Sequence, residues 1–258
     1  MDILYKILIC FIAGAGAGLG TGFAGMSAAA VISPLLITFL GIEPYQAVGI
    51  ALASDVLASA VSAYTYGKNK NLDIKNGSVM MAAVLVFTFV GSFVSSLLPS
   101  AAMGGFSTVM TAFLGIKFIV KPVMTTREAS QSADKKTRLI KSIVFGVAVG
   151  FICGFVGAGG GMMMLLVLTT VLGYDLKTAV GTSVFIMSFT ALTGSVSHFA
   201  LGGMPDVTSL VLCIVFTLVW ALIAAKIANK ASPKTLNRVT GVVLVIIGGV
   251  TAVFNYLV

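Results

Sequence analysis

Charge is the scarcest commodity in this sequence. Only 9% of its 258 residues are charged, against 58% hydrophobic, and the mean hydropathy is +1.09. A chain so composed cannot cover a large water-facing surface, which excludes an ordinary soluble domain. There is one histidine and there are eight acids, with no paired carboxylates or histidine cluster to suggest an enzyme within the membrane. The three cysteines (Cys10, Cys153, Cys213) are far apart in sequence and form no C-x-x-C, so neither a thiol relay nor a zinc site is supported. No G-K-[ST] follows either glycine run, which excludes a phosphate-binding P-loop. The alternating ten-residue segments of an outer-membrane barrel are also absent. No cofactor and no metal are expected.

What is present is a series of long apolar runs. Stretches near 78–98, 104–120, 178–201, 207–225 and 239–257 approach or exceed the roughly 18–20 residues that a bilayer-spanning helix requires. Backbone polar groups in lipid must be satisfied internally, so repeated runs of this kind predict an all-α integral membrane protein. Met1 to Ile12 reads as the start of the first membrane segment, because no small-residue cleavage site leads into a polar domain.

The chain is also written twice. A shift of 132 residues puts Gly22-Phe23 and Gly25 on Gly154-Phe155 and Gly157, Gly41 on Gly173, and Ala47-Val48-Gly49 on Ala179-Val180-Gly181. Each copy interrupts a membrane-grade run with glycine at the same place. Two related halves carrying broken hydrophobic segments are the pattern of a secondary transporter with its site between the halves.

The net charge of +8 does not point to nucleic acid, because the basic residues are confined to connections. Lys68, Lys70 and Lys75 occupy one; Lys117, Lys121, Arg127, Lys135, Lys136, Arg138 and Lys141 surround the central one; Lys226, Lys230, Lys234 and Arg238 fill the last. The positive-inside rule places these in the cytoplasm and the uncharged 98–104 and 201–206 connections outside. Equivalent loops of the two copies then lie on opposite sides, so the repeats are inverted. Inversion needs an odd number of crossings per half. Five fits: 3–22, 28–41, 45–66, 78–97 and 104–120, then 142–157, 160–172, 178–200, 207–225 and 238–257. The 28–41 and 160–172 segments are too short to cross about 30 Å at 1.5 Å per residue and read as partial helices. The count is thus eight full spans plus partial segments, or ten. Residues 1–120 form the first repeat, 121–141 a basic cytoplasmic linker and 142–258 the second repeat. Both termini are expected to be extracytoplasmic, in a multi-pass protein of the cell (inner) membrane.

Site candidates follow from these breaks. Glycine lets the backbone leave helical geometry and lets a ligand approach. A helix that restarts after the break offers unpaired N–H groups and a positive dipole end, which suit an anion. Gly22, Gly25 and Ser27 in the first copy, and Gly157, Gly159, Gly160 and Gly161 in the second, are the expected substrate-binding positions. Close helix packing in lipid is the alternative use of such glycines. Thr182 and Ser183, which follow the second Ala-Val-Gly, would add hydroxyl donors. Asp55 is an acid well inside a predicted span and is costly there without a partner. Asp55, Ser59, Ser62 and Tyr66 share one helix face, flanked by Ser54. We assign coupling or gating to Asp55, Ser54, Ser59 and Tyr66, and to His198, which aligns with Tyr66; a structural Asp and a bystander histidine are the competing readings.

The repeated glycine break, the apolar stretch after it and the Gly-x-x-x-x-x-Ala-Val-Gly motif resemble the sulfite exporter TauE/SafE family across nearly the whole chain. Gly157, Gly159, Gly160, Gly161, Thr182 and Ser183 match the second-copy pattern. The first copy departs from it, with Gly25-Met-Ser-Ala-Ala-Ala-Val-Ile-Ser before Pro34-Leu35-Leu36, and the second has Leu166 where Pro34 aligns. The resemblance implies a transporter of a small anionic substrate, sulfite or an organosulfonate, exported by alternating access. A channel of the same architecture is the alternative. The lipid bilayer is the expected surrounding, nucleic acid is not a partner, and a homodimer is compatible with the sequence.

Overall fold

The computed structural model describes residues 3–95, 113, 115–124, 135–156, 160–202 and 205–257. Among the described residues the chain is helical throughout. It forms α1 (Ile3–Ala24), α2 (Ala29–Leu40), α3 (Pro44–Lys68), α4 (Ile74–Ser95), α5 (Lys135–Val156), α6 (Gly160–Thr170), α7 (Leu176–Gly202), α8 (Val207–Lys230) and α9 (Pro233–Leu257), with a further helical stretch at 115–120. Among the described residues five stretches are long and apolar enough to cross a membrane: Ile3–Ala24, Gln46–Lys68, Ile74–Gly91, Leu176–Ala200 and Val207–Lys230. The two segments expected to be partial are short, 12 residues for α2 and 11 for α6. The 98–104 connection and the polar core of the linker, 125–134, lie outside the described residues. Helix α5 begins at Lys135, so the end of the expected linker is helical. Lys and Arg are good helix formers, and their charged ends extend beyond the apolar layer.

The boundaries repeat like the sequence. Gly41 after α2 and Gly173 after α6 both adopt left-handed φ, +61° and +66°, which ends each short helix in a conformation that disfavours other residues. Two residues on, the Glu43 carboxylate accepts the Gln46 N–H at 3.2 Å and the Asp175 carboxylate accepts the Thr178 N–H at 3.1 Å, so α3 and α7 begin with the same kind of cap.

Glycine seams hold the long helices together. A Cβ on Gly14, Gly18 or Gly22 of α1 would lie 2.5–2.6 Å from Phe216, Thr217 or Ala224 of α8. On α5, Gly146 and Gly150 meet Met80 and Val84 of α4 in the same way. In both seams successive glycines meet successive residues in ascending order, so each pair of helices runs parallel. Small residues permit this backbone approach, which in lipid replaces hydrophobic exclusion as the source of packing energy. The first seam also carries Cys10 and Cys213, whose buried thiols interact although they are far apart in sequence.

The basic connections gather at one end of the bundle. The Asn71 amide donates to Asn229 Oδ1 at 2.7 Å, Lys177 Nζ donates to the Asn229 carbonyl at 2.8 Å, and Asn237 Oδ1 accepts the Val123 N–H at 2.7 Å. At the opposite end Lys6 pairs with Asp206 at 2.8 Å. The outward faces are apolar, with Leu4 70% exposed, Phe89 70%, Val196 60% and Ile246 59%. Water would not tolerate this surface, whereas lipid does.

Candidate functional site

The first glycine break is buried within the bundle. Helix α1 stops at Ala24, Gly25 takes φ +62°, residues 25–27 leave helical geometry, and α2 starts at Ala29. A helix that stops in a water-free interior strands its last carbonyls, and side chains from three other helices take them up. Tyr66 Oη donates to the Gly22 carbonyl at 2.8 Å, Thr240 Oγ1 to the Phe23 carbonyl at 3.1 Å, and Ser183 Oγ to the Gly25 carbonyl at 2.9 Å. Ser183 also lies 3.4 Å from the Gly161 carbonyl, so one hydroxyl sits between the break and the start of α6.

The second half meets the break directly. A Cβ on Gly161 would stand 2.7 Å from the Gly25 carbonyl oxygen, 2.7 Å from the Ser27 nitrogen and 2.8 Å from Met26 Cα. The N-terminal turn of α6 therefore rests on the backbone that leads into α2. Gly160 packs on Cys153, while Gly157 and Gly159 lie outside the described residues.

On the other side of the break stands Asp55, fully buried. Its Oδ1 accepts from Ser59 Oγ at 2.8 Å and lies 3.4 Å from Thr21 Oγ1. The Thr21 hydroxyl is also 3.0 Å from the Met26 carbonyl, and its single proton serves one acceptor at a time. Asp55 Oδ2 has no hydrogen bond. The Ser27 hydroxyl and the Ala28 N–H lie beside this carboxylate without closing one. Ser59, Ser62 and Tyr66 are as buried as Asp55, so the polar stripe of α3 faces inward as its spacing predicts.

The remaining expected residues lie elsewhere. Ser54 donates to its own helix at the Ile50 carbonyl, 2.8 Å away. Thr182 Oγ1 accepts the Asp73 N–H at 3.2 Å and so anchors the connection between α3 and α4 rather than lining the break. His198 Nδ1 is 2.9 Å from the Gly194 carbonyl, and its Cβ packs against Gly49 on α3, away from Asp55. Thr21 and Thr240 also bond the break and are not among the residues expected from sequence. A lone hydroxyl within an apolar span was the available signal, but Ser and Thr are common glue between membrane helices and the signal is weak. An open groove of about 620 Å³ lined by Tyr64, Ile74, Phe185 and Phe189 touches neither the break nor Asp55.

The family model described as sulfite exporter TauE/SafE matches residues 10–251. The chain belongs to the sulfite exporter TauE/SafE family. It is 26% identical over 256 residues to the probable membrane transporter protein YunE of Bacillus subtilis, covering 93% of each chain. A probable membrane transporter protein of Methanocaldococcus jannaschii is 25% identical over 249 residues, covering 90% of this chain and 87% of the relative. One from Haemophilus influenzae is 30% identical over 213 residues, covering 79% and 78%. As a TauE/SafE protein the chain is a multi-pass membrane transporter and not an enzyme.

Proposed function

We propose that this TauE/SafE protein is a secondary transporter that exports a small sulfur-containing anion, sulfite or an organosulfonate, by alternating access between two inverted halves. The halves are residues 1–120 and 142–258, joined by the linker 121–141. The observation that carries this reading is the meeting of the two short helices. The N-terminal turn of α6 at Gly161 lies against Gly25–Ser27, where α2 begins. Helix N-termini carry partial positive charge and free N–H donors, so two of them converging in a low-dielectric interior form an anion site without any charged side chain. Gly22, Gly25, Ser27, Gly160, Gly161 and Ser183 would shape it, with Gly157 and Gly159 completing the second break.

The paired seams, α1 with α8 and α4 with α5, support the inverted arrangement, because they relate to each other as the two sequence copies do. The clustering of all three basic connections at one end supports a cytoplasmic assignment for that end, with the termini outside. Asp55, in van der Waals reach of the break, is the residue we assign to coupling.

Proteoliposome flux tests the reading. Saturable uptake of labelled sulfite or methanesulfonate, with counterflow against unlabelled anion, is the expected result. Flux that neither saturates nor shows counterflow would indicate a channel, and absence of anion flux across the panel would sink the substrate class.

A further inference from the structure

Asp55 stands at the start of α2. The first N–H groups of a helix have no partner within the helix. At the start of α2, the Ala29 N–H donates to Ser27 Oγ at 3.3 Å and the Ala30 N–H to the Ser27 carbonyl at 3.3 Å, whereas the Ser27 and Ala28 N–H groups take no backbone carbonyl. The group beside the Ala28 N–H is the Asp55 carboxylate, fully buried and with Oδ2 unpartnered. Two independent features therefore meet at one spot: free amide donors at a helix end, and a buried carboxylate from another helix beside them with one oxygen unpartnered. Gly161 closes the far side so tightly that a methyl group would not fit. An anion that binds at these amides takes the space the Asp55 carboxylate now fills.

We propose that Asp55 is a resident anion, which occupies the amide end of α2 in the substrate-free protein and must take up a proton before an anionic substrate can bind there. The proposal rests on the anion-transport reading above and gives it a coupling rule. Two negative charges sharing one helix end in a low-dielectric interior repel strongly. A protonated Asp55 removes the repulsion and releases the amides. One proton and one anion then load together, and the complex of a monoanion with the protonated site carries no added charge. Thr21 is placed to follow the change, since its hydroxyl can serve Asp55 Oδ1 or the Met26 carbonyl of the break but not both.

Among the described residues no charged side chain competes for Asp55. The charged groups on the packed elements are Lys6 on α1, paired with Asp206, Lys177 on α7, which bonds the Asn229 carbonyl, and Lys226, Lys230, Lys234 and Arg238 towards the basic end of α8 and α9. The titratable neutral groups are Tyr66 on α3, bonded to the Gly22 carbonyl, His198 on α7, bonded to the Gly194 carbonyl, Cys10 and Cys213 in the α1–α8 seam, and Cys153 against Gly160. The immediate surroundings of Asp55 are hydroxyls and one amide.

The test is calorimetric binding of methanesulfonate, which does not titrate in this range, to the purified full chain in nanodiscs from pH 5 to 8, with sulfite and sulfate in parallel. The wild type is expected to bind more weakly as pH rises, by up to about tenfold per unit once Asp55 is ionised, and to take up close to one proton per anion when two buffers of different ionisation heat are compared. Asp55→Asn should bind with an affinity independent of pH. Should that variant fail to fold, the proton count on the wild type decides alone. Wild-type binding that is flat with pH and takes up no proton overturns the resident-anion proposal and leaves anion transport standing. No binding of any of the three anions at any pH, by either protein, overturns the anion reading and the proposal with it.

Discussion

Substituting Gly161 by alanine tests whether the two broken segments truly meet. The added methyl carbon would lie 2.7 Å from both the Gly25 oxygen and the Ser27 nitrogen, where ordinary contact begins at 3.4 Å. The gap must open by 0.7 Å (3.4 − 2.7), and the obstructing atoms are backbone, which cannot rotate away. Overpacking of this kind costs roughly 1–3 kcal/mol. Alanine also favours the helix over glycine by about 0.5–1 kcal/mol, which partly offsets the clash. Gly249→Ala isolates that gain, since Gly249 lies in α9 with nothing within 4 Å of a new Cβ. The assay is unfolding of both variants in mixed detergent micelles, followed by circular dichroism and compared with wild type. Gly249→Ala should be neutral or stabilised, and Gly161→Ala should fall below it by about 1–3 kcal/mol. Equal stability of the two variants would refute the contact and, with it, the convergence of helix ends on which the proposed anion site depends.

Three other outcomes are expected. Tyr66→Phe removes the donor to the buried Gly22 carbonyl and should cost about 1–3 kcal/mol, read as a drop in melting temperature; an unchanged melt would mean that the end of α1 has another donor. At Asp206, burial pulls the carboxyl pKa up, but the Lys6 ammonium and the Ser209 hydroxyl and amide more than offset this and hold it below 3.8. Its stabilisation is therefore complete above that value and lost as pH falls through the lower native one. The pair is partly exposed, so the effect is about 1 kcal/mol or less; Asp206→Asn should lower the melt at pH 7 and by progressively less as pH falls below 3.8, and a loss that stays constant through that fall would contradict the assignment. Finally, copper phenanthroline should join Cys10 to Cys213 within one chain, each thiol losing its hydrogen to the oxidant. Peptide mass analysis without reductant would detect the link, which Cys10→Ser should abolish, and a link to Cys153 instead would disprove the α1–α8 register.

Much of the architecture can be read locally. The α2 and α6 segments announce themselves as short because Gly41 and Gly173 stop them and Glu43 and Asp175 restart the chain, all within a few residues. The inward face of α3 is legible from the spacing of Asp55, Ser59, Ser62 and Tyr66 alone. Contacts between distant segments are not. Thr182 and Ser183 are adjacent and look equivalent in sequence, yet one serves the Asp73 amide and the other the broken helix, because successive residues of a helix point about 100° apart. Cys10 and Cys213 likewise look unrelated until the glycine seam brings α1 and α8 into register.

The sequence by itself determined that this is a membrane-embedded helical transporter whose glycine pattern recurs after 132 residues, because hydrophobic length, glycine placement and the distribution of basic residues are local or compositional properties. Only the tertiary structure decided what fills the break. That the Asp55 carboxylate stands at the free amides of α2, that Tyr66, Thr240 and Ser183 take the carbonyls stranded at Gly22, Phe23 and Gly25, and that Gly161 seals the other side all depend on how helices remote in sequence cross. A broken helix in a dry interior must find partners for its backbone, and packing alone selects which side chains supply them.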